Sequence, residues 1–118
     1  MKVVSLKGGV VEKRSGGIFT GEVEITYLVD PDTGSKEFRA AIVSFPKGVR
    51  NKFHVHDHEQ ILFVTEGRGI VATEFEEREV GPGDLIFIPA GEKHWHGATE
   101  ESSFSHLYVM SSHTKTTY

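Results

Sequence analysis

The sequence predicts an all-β fold, a barrel or sandwich of short strands. Three observations lead there. Apolar runs are short and rich in β-branched and aromatic residues. Gly, Pro and Asp clusters punctuate them at regular intervals. No stretch of ten or more residues carries a 3.6-residue apolar period.

Taken in order, Glu22 to Val29 opens with alternation that puts Val23 and Ile25 on one face. Asp30 to Ser35 (DPDTGS) is a turn by composition. Phe38 to Phe45 (FRAAIVSF) reads as a strand, and Pro46-Lys47-Gly48 breaks it. A histidine-rich strand follows, then Gln60 to Thr65, a turn at Glu66 to Gly69, and a strand over Ile70 to Phe75. Gly81-Pro82-Gly83-Asp84 is a tight turn before Leu85 to Ile88. Pro89-Ala90-Gly91 turns the chain into His94 to Thr99, and Ser103 to Met110 is the last predicted strand. The organisation expected is a single domain over residues 1–118. It has an N-terminal arm (1–21), a barrel (22–110) and a polar tail (111–118).

Composition excludes several classes of function. A net charge of −4 argues against nucleic acid and anionic membrane as partners, because phosphate binding needs clustered Lys and Arg. No apolar run approaches the ~20 residues of a membrane-spanning helix. The first residues lack the charged and apolar regions of a signal peptide, so the expected compartment is the cytoplasm. There is no cysteine, hence no disulfide and no thiolate nucleophile or ligand. Amides are scarce, with Asn51 and Gln60 the only ones. Open sheet edges in a chain of this length predict a homodimer, with the arm the element expected to reach across.

Five of the seven histidines fall in two clusters, His54-x-His56-x-His58 and His94-x-His96. Side chains at i and i+2 of a strand share a face about 6.7 Å apart, so two imidazoles can converge on one ion. A third ligand must come from another strand, and His94 opens one. A lone strand histidine is most simply a hydrogen-bonded core or surface residue; two separated clusters favour a metal. Neutral imidazole suits zinc, copper, iron and nickel, with amide or water oxygen completing the shell. By parity His58 competes as a ligand, and His96 shares a face with His94. In the last strand Phe104, His106, Tyr108 and Met110 share a face, which puts two polar groups among core positions. They are either a hydrogen-bonded core pair or pocket groups.

The two-part pattern resembles the cupin motifs. Gly48, His54, His56, Gln60 and Gly67 match the first, and Gly83, Pro89, Gly91 and His94 match the second. The resemblance implies a jelly-roll (double-stranded β-helix) barrel. Its implied site is one divalent transition metal ion (zinc, manganese, iron, nickel or copper) on His54, His56, Gln60 and His94. That ligand set implies a bend near Asp57 that removes His58 from the site. His96, His106 and Tyr108 are then the candidate catalytic, pocket-lining groups, and Trp95 faces away. The motif usually has Glu where this chain has Gln60, and Asn near Ala98. The stretch Gly91 to Thr99 with Gln60 and Phe19-Thr20-Gly21 is similar, more narrowly, to small cupins associated with carboxymuconolactone-decarboxylase-like proteins. The functions implied are isomerase or lyase chemistry on a small oxygenated acid or sugar acid, dioxygenation, or non-enzymatic binding of a small molecule.

Overall fold

The computed structural model describes residues 1–118. All strand pairs are antiparallel, and their sheets of six, three and two strands form two facing layers, the two smaller sheets sharing one layer. In chain order the strands are β1 (Val11–Arg14), β2 (Val23–Val29), β3 (Phe38–Phe45), β4 (Val55–His56), β5 (Gln60–Gly67), β6 (Gly69–Thr73), β7 (Glu77–Val80), β8 (Leu85–Ile88), β9 (His94–Ala98), β10 (Phe104–Ser111) and β11 (Thr116–Thr117). A single 3-10 turn, Pro31–Thr33, capped by Asp30, is the only helical element. The larger sheet has the order β1-β2-β3-β10-β5-β8, and the facing sheet contains β7-β6-β9. Bridges Arg50↔Gly97 and His54↔His94 attach residues 50–54 to β9, and the β4–β11 pair continues from there. This is the jelly-roll arrangement that the motif resemblance implies.

The core lies between the sheets, on the inward face of every central strand. Val23 and Ile25, then Ala41, Val43 and Phe45, alternate inward as strand periodicity demands. Leu62 and Val64 on β5 are fully buried, while Ile61 and Phe63, which alternate with them, face out. Gln60 shares parity with Leu62 and Val64, and His106 shares it with Phe104 and Met110. Both polar residues are therefore carried inward by strands whose other inward positions are apolar. At the β5–β6 junction Gly67 has φ 74°, and a Cβ there would drive into the Ser103 carbonyl oxygen, so only glycine fits.

Three strands lie outside the sequence-based assignment. Strands β1 (VEKR) and β7 (EREV) are nearly all exposed and carry no apolar alternation to read. Strand β11 lies in the segment expected to be a polar tail; Thr116 and Thr117 instead pair with His56 and Val55. Part of the N-terminal arm, expected to reach across to a partner, pairs as β1 with β2 of its own chain. The histidine-rich strand shortens to two residues, because the chain turns at Asp57 and His58.

Candidate metal centre

Backbone pairing brings the two histidine clusters together. His54 and His94 exchange both backbone hydrogen bonds (2.9 and 3.0 Å), so their side chains stand side by side on adjacent strands. His56 follows two residues after His54 on the same face. The ligating nitrogens of His54, His56 and His94 all lie within 4.8 Å of one another, and all three residues are buried.

Each imidazole is held through Nδ1. His54 Nδ1–H donates to the Lys52 carbonyl (2.6 Å) and His94 Nδ1–H to the Glu92 carbonyl (2.8 Å). A carbonyl only accepts, so the proton sits on Nδ1 and the Nε2 lone pair is free. His56 Nδ1 meets Thr116 Oγ1 at 2.8 Å. Fixing one ring nitrogen in this way orients the other as a ligand. Burial holds all three rings neutral: His54 and His56 are pushed down to about 4, each also repelled by neighbouring histidines, and His94 is lowered.

Gln60 approaches from β5, in the opposite sheet, and its side chain lies against His56. Its Nε2 makes only a weak contact with Met110 Sδ (4.0 Å), and its Oε1 is buried without a partner. His94 Nε2 is also buried and unpaired. Buried polar atoms without partners are uncommon and call for an explanation. Three neutral imidazoles and one amide oxygen are a donor set that fits a divalent transition ion. His58 is not in this group; it is half exposed and pairs with Asp57 at 2.7 Å.

A cavity of about 530 Å³ opens beside these residues; His56, Gln60, His96, His106 and Tyr108 line it. His96 and His106 meet edge to face with ring centroids 4.8 Å apart. Both are driven toward the neutral form by burial, His106 to about 4 and His96 well below its ordinary value. His106 has no hydrogen-bond partner at either ring nitrogen; the Leu107 backbone is near enough to oppose its shift without a well-formed bond. His106 and Tyr108 are thus not a hydrogen-bonded core pair. Burial raises Tyr108 above its ordinary value. Trp95 faces away, buried under the Arg50 guanidinium 3.7 Å above its ring.

The Cupin domain family matches residues 41–110, more than half of the chain. The chain belongs to this family. It is 39% identical over 94 residues to the (R)-mandelonitrile lyase of Granulicella tundricola, covering 78% of this chain and 70% of that one. It is 32% identical over 68 residues to the acireductone dioxygenase of Parasynechococcus marenigrum, covering 52% of this chain but 37% of the dioxygenase. Among solved structures, a cupin-like protein of Thermotoga maritima superposes with a TM-score of 0.83 at 30% identity, covering 90% of this chain and 82% of that one. No helix of this cupin is long and apolar enough to cross a membrane.

Two residues that support the site were not legible as functional in the sequence. Asn51 Oδ1 accepts the His96 backbone N–H (2.8 Å) and pins β9 beside the cavity. Its signal was weak: it is the sole Asn of the chain. Thr116 gave no signal, lying in a polar segment. Thr116→Val keeps the shape of the side chain and removes the partner of His56 Nδ1. Zinc affinity, measured by competition with a chromophoric chelator, should fall about tenfold or more. Unchanged affinity would show that His56 needs no anchor.

Proposed function

We propose that this cupin is a metal-dependent lyase acting on a small hydroxy-substituted acid. The ligands are His54, His56, Gln60 and His94, and the protein works as one domain. The observation that carries the proposal is the set of neutral, oriented imidazoles beside the unpaired Gln60 Oε1, with His56 and Gln60 lining a cavity that also holds two further neutral histidines. The likeness to a mandelonitrile lyase supports a bond cleavage at a carbon bearing an oxygen. We further assign the chain to the small cupins associated with carboxymuconolactone-decarboxylase-like proteins, on Gln60, Phe19-Thr20-Gly21 and Gly91 to Thr99; the decarboxylase activity is not carried over with it.

A bound divalent ion supplies Lewis acidity to the substrate oxygen. An amide ligand cancels none of the ion's charge, so Gln60 keeps that acidity high and cannot itself take a proton. The base falls to His106 or His96, neutral and unprotonated at pH 7. The substrate O–H proton passes to the imidazole, and the O–H electron pair becomes the carbonyl π bond. The adjacent carbon–carbon bond breaks, and the leaving group departs with the electron pair of that carbon–carbon bond. The imidazolium then returns the proton to it.

The test is metal-dependent turnover of mandelonitrile and of a panel of small hydroxy acids, with oxygen uptake recorded in parallel. Product formation that needs the metal and consumes no oxygen is expected. Oxygen uptake matching product would establish the dioxygenase reading, which the acireductone dioxygenase likeness favours. Gln60→Glu adds an anionic ligand, so it should bind zinc about tenfold more tightly while lowering turnover. Unchanged zinc affinity would remove Gln60 from the ligand set.

A further inference from the structure

The cavity that reaches His56, Gln60, His96 and His106 has a sign of charge opposite to that of the chain. Overall the protein carries 17 acidic and 13 basic residues. Yet the lining of the 530 Å³ cavity includes Arg14 and Arg39 and no Asp or Glu. The neighbouring cavity of about 350 Å³, which reaches His94 from the side of β7 and β8, is the reverse: Glu76, Glu79, Asp84 and Glu92 line it with a single Arg78.

Arg14 and Arg39 are not equivalent. Arg14 is half exposed and already paired with Glu12 at 2.8 Å, and it donates to Tyr27 Oη at 3.0 Å. None of the four ion pairs of the fold includes Arg39. Its Nη2 donates to the Thr114 carbonyl at 3.3 Å, while its Nε is buried with no partner. A guanidinium is a fork of donors, and a buried donor of that fork left without an acceptor is costly. Strand parity points Arg39 inward, on the face of Ala41, Val43 and Phe45. The register then sets its distance from the histidines. Arg39 pairs with Met110, and Met110 pairs with Gln60, so Arg39 and Gln60 stand two strand spacings apart, about 10 Å between backbones. Both side chains extend into the same cavity and shorten that gap.

We infer that Arg39 is a carboxylate-binding subsite, and that the ligand of this protein is a small organic acid with its carboxylate on Arg39 and a second oxygen at the histidine cluster. The second half of that statement rests on the metal reading above; the first does not. Bidentate guanidinium–carboxylate pairing satisfies the buried Nε and supplies the counter-charge that the fold omits. It also orients the acid so that its far end meets His56, Gln60 and His106.

Calorimetric titration with succinate and its neutral counterpart succinamide tests both halves. The proteins are wild type, Arg39→Gln and Arg39→Lys, each metal-free and zinc-loaded. Metal-free wild type should prefer succinate over succinamide by about tenfold or more. Arg39→Gln should abolish the preference, and Arg39→Lys should restore part of it. Zinc loading should tighten succinate further in wild type. Equal affinity of wild type for the two compounds, or an undiminished preference in Arg39→Gln, overturns the subsite. Should Arg39→Gln fail to fold, the wild-type preference and the Arg39→Lys value decide. If the Arg39-dependent preference appears but zinc adds nothing, the subsite stands and the metal reading falls.

Discussion

His94→Ala should leave the protein folded and weaken its hold on a metal ion about a hundredfold. His94 is the ligand candidate contributed by β9, and its neighbours do not replace it. The His96 ring meets the Asn51 side chain and lines the cavity, and His58 is outside on the Asp57 turn. A four-ligand zinc site is worth roughly 10–16 kcal/mol, so one ligand contributes about 3 kcal/mol. That corresponds to about a hundredfold in affinity. The backbone bonds between residues 54 and 94 do not involve the side chain, so β9 should stay paired. Metal content by atomic emission and affinity by chelator competition measure the effect. Circular dichroism and the elution volume check the fold. His58→Ala, made in parallel, should bind as wild type. Full metal occupancy in His94→Ala, or a loss in His58→Ala equal to it, would contradict the assignment.

Much of this was legible in the sequence because strand alternation and turn chemistry are local. The β3 and β8 boundaries were readable to the residue, since Pro46 and Pro89 end them. The separation of His58 from His54 and His56 was not readable from parity, which put all three on one face. It required the motif offset to Gln60, and the turn at Asp57 realises it physically. Strands β1, β7 and β11 escaped because pairing stabilises them through backbone bonds, with exposed side chains that record no burial. Arg39 escaped for the converse reason. In sequence it is one charge in an apolar strand, and its unpaired state depends on what the other strands omit.

The same burial that shapes the cavity should make the metal-free protein acid-sensitive. Unfolded, each histidine takes up a proton near pH 6.5. Folded, His106 does so only near 4, because the proton would place a charge deep in the barrel among Phe45, Phe104 and His96. Between these values the unfolded chain binds more protons than the folded one, so stability falls as pH falls. Above about 6.5 both states are neutral at this site and the effect vanishes. From 6.5 down to about 4, His106 alone withdraws about 3 kcal/mol, at 1.4 kcal/mol per pH unit. His54 and His56, also pushed down to about 4, act in the same direction when no metal holds them. Total stability is typically 5–15 kcal/mol, so a metal-free protein stable at pH 7.5 should approach unfolding by pH 5. Urea unfolding at pH 7.5, 6 and 5, with a chelator present, measures this. His106→Leu removes the titrating group and retains an apolar side chain against Phe45 and Phe104. Its free energy of unfolding should therefore fall less steeply with acid than that of wild type, whatever its value at pH 7.5. A wild-type stability that is flat from pH 7.5 to 5 would mean that His106 is protonated without cost, through water or a partner in the cavity. In that case it would be a stronger base than its burial implies.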